Sequence, residues 1–156
     1  MYLATVMDLY SRRIVGWSLS ERNNTALVIK ALDAAVLTRG GDVRSSSIIH
    51  HSDRGSTYAS DDYQERLEHY RLQPSMSAKG NCYDNAAMES FYGRFKTGSA
   101  GNRVFSGADE LCQHVFDYIE IFYNRFRKHS SPGYQAPSIF VEFFILPSGR
   151  MKKRVA

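Results

Sequence analysis

The sequence predicts an α/β fold, and three features of the first half support it. Two β-prone stretches separated by a short polar turn at residues 11–13 indicate a hairpin. An amphipathic helix pattern follows over residues 25 to about 38, and the short apolar strand SSSIIHHS comes next. Because strand–helix–strand order favours a parallel crossover, we expect an α/β sheet.

The first helix has a cap and a stop. Asn24 or Thr25 is the expected N-cap, and the Gly40-Gly41 pair ends the helix. Four apolar residues at helical spacing form its predicted buried face: Val28, Ala31, Leu32 and Ala35.

A second helix is predicted over about residues 60–70, with Ser60 as its cap. Its inward side chains are expected to be Tyr63, Leu67 and Tyr70. The stretch RLQPSMS predicts a short strand, which Pro74 confines to a sheet edge or a strand start.

Two more helices are predicted, from Asp84 to about Lys96 and from a Ser106 cap to about Arg125. The fourth helix is expected to bury Leu111, Val115, Tyr118, Ile119 and Phe122. A loop and a short terminal helix follow. We therefore predict one domain over residues 1–145 and a basic tail over residues 146–156.

Composition limits the function classes. The 156 residues carry a net charge of +4, which mildly favours a polyanionic partner, although basic runs are often only solvated surface. No apolar run approaches the roughly 20 residues that span a bilayer, and the N-terminus lacks a signal-peptide pattern. A cytoplasmic location is expected. Cys82 and Cys112 have neither zinc-site nor disulfide-framework spacing.

Two carboxylates are candidates for a metal site. Asp53 follows a predicted parallel strand, and Glu89 borders the apolar face of the third helix. Ligand sites of open α/β sheets gather at such strand ends, and Mg²⁺ or Mn²⁺ prefers carboxylate oxygens. The alternatives are a turn residue at Asp53 and a solvated helix residue at Glu89. Asp8 is a third candidate, or else it caps the turn at residues 11–13.

Four strings occur in order: YLATVMDLYSRRIVGWSLS, HHSDRGSTY, SMSAKGNCYDNAAMESFYGRFK and YIEIFYNRFRKHSSPGYQAPSIF. They resemble successive blocks of the integrase core in IS3-family bacterial transposases, over about residues 2–141. The 35 residues between Asp53 and Glu89 match the carboxylate spacing of that family and of retroviral integrases.

The resemblance implies an RNase H-like fold, which is a mixed sheet flanked by helices. It also implies a DDE site, in which three carboxylates hold two Mg²⁺ or Mn²⁺ ions for DNA cleavage and strand transfer. Asp53 takes the place of the second carboxylate and Glu89 that of the third. The family's first aspartate lies on a central strand upstream of the block that begins at Tyr2. The chain is therefore expected to lack that strand and to be inactive alone, with Asp8 a weak surrogate ligand.

DNA and a second copy of the chain are the expected partners. An exposed strand edge favours a homodimer or higher oligomer. The candidate DNA contacts are Lys79, Lys96, Asn85, Arg125, Arg127 and Lys128. One alternative is a non-catalytic transposase remnant that binds DNA or a transposase partner. A structure-specific nuclease on the same fold fits the third string less well.

Overall fold

The computed structural model describes residues 1–40, 48–77, 86–101, 103–130 and 133–144. The strands are β1 (Tyr2–Met7), β2 (Ile14–Ser20), β3 (Ile49–Ser52) and β4 (Gln73–Met76). The α-helices are α1 (Thr25–Thr38), α2 (Asp61–His69), α3 (Ala86–Arg94), α4 (Ala108–Phe116) and α5 (Pro137–Phe144). The π-helical segments Phe95–Ala100 and Asp117–Phe126 continue α3 and α4. The predicted mixture of helices and strands is confirmed.

The predicted hairpin is present, because β1 and β2 form a two-stranded sheet. Residues 8–13 are too short for a parallel crossover, so the strands run antiparallel. The Asp8 N–H donates to the Arg13 carbonyl at 2.8 Å. The Asp8 carboxylate accepts from the backbone N–H groups of Tyr10 at 2.8 Å and Ser11 at 3.2 Å. Asp8 therefore caps this turn, as one of the two sequence alternatives held.

Strand β2 and helix α1 approach closely at Gly16. A Cβ at this position would lie 2.3 Å from the Ala31 carbonyl oxygen and 2.5 Å from the Ala35 nitrogen, so only glycine fits. The Asn24 side chain accepts from the Leu27 N–H at 3.1 Å and is the cap of α1. The predicted bounds and buried face of α1 are confirmed.

Strands β3 and β4 pair in parallel, with Ile49 opposite Gln73 and Ser52 opposite Met76. Helix α2 connects them, so the parallel crossover is β3–α2–β4. The crossover expected from β2 through α1 does not pair its strands, since β2 and β3 lie in separate two-stranded sheets. Pro74 lies within β4, as predicted for an edge strand.

Ser60 is the N-cap residue of α2, as predicted, although its hydroxyl donates to the Thr57 carbonyl at 2.8 Å and makes no capping bond to the helix. The prediction of Ser106 as the cap of the fourth helix is wrong. Gly107 is the N-cap of α4. The preceding Ser106 donates from its N–H and its hydroxyl to the Glu110 carboxylate, at 2.7 and 2.8 Å.

The predicted buried face of the fourth helix is correct at Val115, Tyr118 and Ile119 and wrong at Phe122. Phe122 is 45% exposed, whereas Tyr123 is 3% exposed. The helix is π-helical from Asp117 onward, and a π-helix bonds residues five apart in place of four. The wider turn moves the inward position on by one residue.

The chain divides into two compact units. The first contains Met1–Val6 and Val15–Lys96, and the second contains Met7–Ile14 and Thr97–Ala156. The core of the first unit consists of Ala4, Leu27, Val28, Ala31, Leu32, Val36, Tyr63, Leu67 and Leu72. In the second unit the buried Asn124 amide bonds both the N–H and the carbonyl of Ile14, each at 3.0 Å. The predicted boundary at residues 145 and 146 lies outside the described residues.

Candidate carboxylate site at the end of β3

Asp53 is the first residue after β3, at the carboxyl end of a parallel strand pair. Its side chain is exposed, and one carboxylate oxygen, Oδ1, accepts from the Gly55 N–H at 2.8 Å. This bond closes a turn of the kind that aspartate commonly forms with the residue two positions later. Asp53 is therefore a turn residue, and it also presents a carboxylate at the strand end where ligands bind in α/β sheets.

Both neighbours of Asp53 are hydrogen-bonded to Ser77, which directly follows β4. The Ser77 N–H donates to the Ser52 carbonyl at 3.0 Å. The Arg54 side chain donates from Nε to the Ser77 carbonyl at 3.0 Å. The His51 ring lies between Ser75 and Ser77, with its two nitrogens 3.0 and 3.1 Å from their hydroxyl oxygens. These contacts fix the ends of β3 and β4 together.

The charge of Asp53 contributes to the raised pKa values of two tyrosines, Tyr58 and Tyr92. Burial raises the pKa of Tyr58 to about 12, with smaller contributions from Tyr92 and from the Asp53 charge. Burial also raises the pKa of Tyr92; hydrogen bonds with Thr5 oppose this rise, and the Asp53 charge adds to it. Tyr92 belongs to α3, so one residue of this helix is close enough to Asp53 for the carboxylate charge to affect its pKa.

Helix α3 is fastened to β1 through the same tyrosine. The Tyr92 hydroxyl donates to the Leu3 carbonyl at 3.1 Å, and it lies 3.0 Å from the Thr5 hydroxyl. Since the phenol has one proton and gives it to Leu3, the Thr5 hydroxyl is the donor in the second bond. On the same helix Phe91 is 2% exposed and stacks on Phe95, which anchors the inner face of α3.

Glu89 lies in the first turn of α3 with its side chain exposed. Residues three apart are neighbours on a helix surface, so Glu89 adjoins Tyr92, whose pKa is raised in part by the Asp53 charge. Asp53 and Glu89 thus belong to the same compact unit, and both carboxylates are exposed. Exposed carboxylates of this kind suit a hard divalent cation. Within the described residues, no group of three or more His, Cys, Asp or Glu side chains is arranged to hold a metal.

A half-buried histidine of β3, His50, is hydrogen-bonded to a buried tyrosine of α2, Tyr63. The Tyr63 hydroxyl and His50 Nε2 are 2.9 Å apart. Burial, assisted by His51, lowers the pKa of His50 to about 4, so the ring is neutral at pH 7. Burial raises the pKa of Tyr63, which keeps its proton and donates it to His50.

The predicted DNA contacts are distributed over the chain. Lys96 is exposed at the end of the first unit, just after Phe95. Arg125 and Lys128 are exposed and Arg127 is half-buried, all in the second unit. Lys79 and Asn85 lie outside the described residues. Asp8 belongs to the second unit.

Sequence reasoning missed the residues that support Asp53 and Glu89, namely Gly55, Ser77, Tyr58 and Tyr92. A glycine two positions after an aspartate is a turn signal that was available for Gly55. The other three are recognised only from tertiary contacts. No helix in the described part of the chain is long and apolar enough to cross a membrane.

Comparisons with known proteins agree with these features. One integrase core domain family model matches residues 1–82, and a second integrase core domain model matches residues 70–137. The chain is 44% identical over 142 residues to an uncharacterized 31 kDa protein of insertion element IS600 from Shigella sonnei, covering 91% of this chain and 51% of that protein. It is 44% identical over 140 residues to transposase InsF of insertion sequence IS3A from Escherichia coli K12, covering 90% and 48%. The chain thus spans about half the length of these curated relatives.

Solved structures share the fold at low sequence identity. A simian T-cell lymphotropic virus intasome, in complex with PP2A regulatory subunit B56 gamma, aligns with a TM-score of 0.70 at 16% identity over 99% of this chain and 52% of that one. The HTLV-2 integrase catalytic core domain, in complex with magnesium and in a trimeric form, aligns with a TM-score of 0.58 at 14% identity over 86% and 80%. The fold is therefore RNase H-like, and the chain belongs to the integrase core domain family, as an integrase core of the IS3-family transposase type.

Proposed function

We propose that this chain is the catalytic core of a DDE transposase that cuts and joins DNA ends, with Asp53 and Glu89 as two of its metal-binding carboxylates. The observation that carries the proposal is the position of Asp53 at the carboxyl end of the parallel β3–β4 pair, in the same compact unit as Glu89 on α3 and with 35 residues between the two carboxylates. Membership of a family that includes transposase InsF supports DNA transposition as the general activity.

Each carboxylate has a defined part in this proposal. The carboxylates of Asp53 and Glu89 would hold Mg²⁺ or Mn²⁺ from two separate elements, because such cations prefer hard oxygen ligands. A bound divalent cation supplies stabilisation of the negative charge that develops on phosphodiester oxygens. The contacts of Ser77 with Ser52 and Arg54 hold the Asp53 backbone so that its carboxylate is presented in one position.

Calorimetric titration with Mn²⁺ tests the two carboxylates directly. We expect saturable binding to the wild-type chain and at least about tenfold weaker binding in Asp53→Asn and in Glu89→Gln, since each removes a charged oxygen ligand. Glu21→Gln is the matched control, because Glu21 is an exposed carboxylate after β2. Equal affinity in wild type and both site variants would reject the assignment.

Catalysis by a DDE site requires three carboxylates, and Asp53 and Glu89 are only two of them. We therefore expect the isolated chain to bind Mn²⁺ and DNA without joining DNA ends, and a non-catalytic transposase remnant would behave in the same way. A strand-transfer assay on duplex oligonucleotides with Mn²⁺ tests the expected inactivity. Joined products that disappear in Asp8→Asn would identify Asp8 as a surrogate ligand, and any joined product would overturn the expected inactivity.

Phosphate contacts are proposed for Lys79, Asn85, Lys96, Arg125, Arg127 and Lys128. Lys96 is the best placed among the described residues, since it follows the helix that carries Glu89. Each lysine–phosphate contact releases about 0.9 of a counterion, so Lys96→Ala should reduce the slope of log affinity against log salt by about 1. Lys30→Ala on α1 is the exposed control. Equal slopes for wild type and Lys96→Ala would remove Lys96 from the interface.

A homodimer or higher oligomer is also proposed. The sheet of β1 and β2 has two strands in the described part of the chain, so each strand has one edge without a partner strand. The relatives include an intasome and a trimeric integrase core. Light scattering over a concentration series should give a mass that rises above that of one chain, and a constant monomer mass would contradict the proposal.

A further inference from the structure

Gly55 contacts the Asp53 carboxylate directly through its backbone. Its N–H donates to Asp53 Oδ1 at 2.8 Å. The same glycine is held in place on its other side, because its carbonyl accepts from the Tyr58 N–H at 3.0 Å and from the Ala59 N–H at 3.1 Å. Gly55 is thus a fixed donor for one oxygen and leaves the second oxygen, Oδ2, directed away from this bond.

A side chain at residue 55 would crowd the Asp53 carboxylate. A Cβ at this position would lie 2.9 Å from Asp53 Oδ1 and 3.6 Å from the Tyr58 ring. The first distance is too short for carbon and oxygen, whereas the second is ordinary van der Waals contact. Since two hydrogen bonds hold the Gly55 carbonyl, the Asp53 carboxylate is the group that must move. The glycine requirement here comes from contact with a carboxylate and not from a left-handed backbone.

We propose that Gly55 is a positioning residue for Asp53: its N–H orients the carboxylate, and its missing side chain leaves room for that orientation. The inference rests on the proposed role of Asp53 in metal binding. A methyl group at residue 55 would rotate or displace the carboxylate and weaken the metal site while leaving the buried core intact.

The test compares Gly55→Ala with Gly93→Ala. A Cβ at Gly93 meets nothing within 4 Å, so this control adds the same methyl group on the Glu89 helix without a clash. Three measurements are made on each protein: Mn²⁺ affinity by calorimetry, thermal unfolding, and the amide chemical shift of residue 55 in ¹H–¹⁵N spectra over acidic pH. An amide that donates to a carboxylate changes its shift as that carboxylate titrates, and this readout needs no metal.

We expect Gly55→Ala to bind Mn²⁺ at least about tenfold more weakly, by loss of an oriented charged ligand, with a melting temperature close to that of wild type. The pH-dependent shift of amide 55 should be large in wild type and in Gly93→Ala and small in Gly55→Ala. Unchanged Mn²⁺ affinity in Gly55→Ala would overturn the inference, and so would a wild-type amide 55 that does not follow a carboxylate titration.

Failure of the proposed metal site gives a different pattern. In that case the wild-type chain itself does not bind Mn²⁺, while the amide measurement still decides whether Gly55 orients Asp53. Loss of the amide response together with a folded Gly55→Ala protein would uphold the positioning role without the metal. A retained amide response in that variant would reject it.

Discussion

Asp53 and Glu89 lie in the same compact unit but are held in different ways. Asp53 is fixed by hydrogen bonds at the joined ends of two parallel strands, where Ser77 and Gly55 bond its neighbours and its carboxylate. Glu89 is carried by a helix that is anchored by apolar burial at Phe91 and by the Tyr92 hydroxyl. One carboxylate thus depends on short-range polar geometry and the other on helix packing, so different substitutions should disturb each.

The largest effect is expected on the helix side, from Phe91→Ala. Removal of a phenylalanine that is 2% exposed leaves a cavity beneath α3, and truncations of this kind cost about 3–5 kcal/mol. Urea unfolding measures the loss, with Phe126→Ala as the control because Phe126 is 69% exposed. A loss of Phe91→Ala no greater than the control would show that packing does not hold this helix.

The strand side should respond to pH through His50. Because its pKa is about 4 in the fold and about 6.5 when unfolded, the unfolded chain takes up the proton first as pH falls. The free energy of unfolding should therefore decrease from pH 6.5 to pH 4, by up to about 3 kcal/mol from this residue. His50→Gln keeps an acceptor for Tyr63 and should lack this part of the decrease.

The matched control for His50 is His69→Gln, since His69 is exposed at the end of α2. Urea unfolding at pH 7, 6, 5 and 4 gives the three pH profiles. Wild type and His69→Gln should lose stability more steeply than His50→Gln. Parallel profiles for all three proteins would contradict the assignment to His50.

A smaller loss is expected from Ser77→Ala, about 1–2 kcal/mol. The buried hydroxyl contacts His51 Nε2 at 3.1 Å, and its removal leaves a ring nitrogen without that partner. Urea unfolding of Ser77→Ala is compared with that of Ser90→Ala, which alters an exposed serine on α3. If both variants unfold like wild type, the hydroxyl does not stabilise the strand ends, and the backbone bonds of residue 77 alone join them.

The smallest stability effect, about 1 kcal/mol, is expected from Tyr92→Phe, which removes the bond to Leu3. The local effect of Tyr92→Phe should be easier to detect, because amide hydrogen exchange over residues 86–94 should become faster while exchange in α1 is unchanged. Tyr134→Phe, at a 73% exposed tyrosine, is the control. Unchanged exchange in α3 would mean that the Tyr92 hydroxyl does not hold the Glu89 helix, and the contrast with the hydrogen-bonded end of β3 would then be sharper.

Local signals predicted much of this structure. The period of the apolar residues and the Asn24 cap place α1 correctly, and the apolar run before Asp53 places the candidate site at a strand end. The change to π-helical turns after Phe116 has no signature in a periodicity that assumes α-helix, so the prediction for Phe122 fails. The bond from Tyr92 to Leu3 joins residues 89 positions apart and depends on tertiary packing alone.

Pro74 has a consequence for how this protein avoids uncontrolled self-association. The N–H groups of Gln73 and Ser77 point toward β3, where they donate to Ile48 and Ser52, so the intervening Pro74 nitrogen faces the opposite side. That side therefore lacks a donor at a position where an added strand would need one. Extension of the β3–β4 sheet is blocked in one direction, which disfavours the open-ended stacking of strands that leads to fibrils.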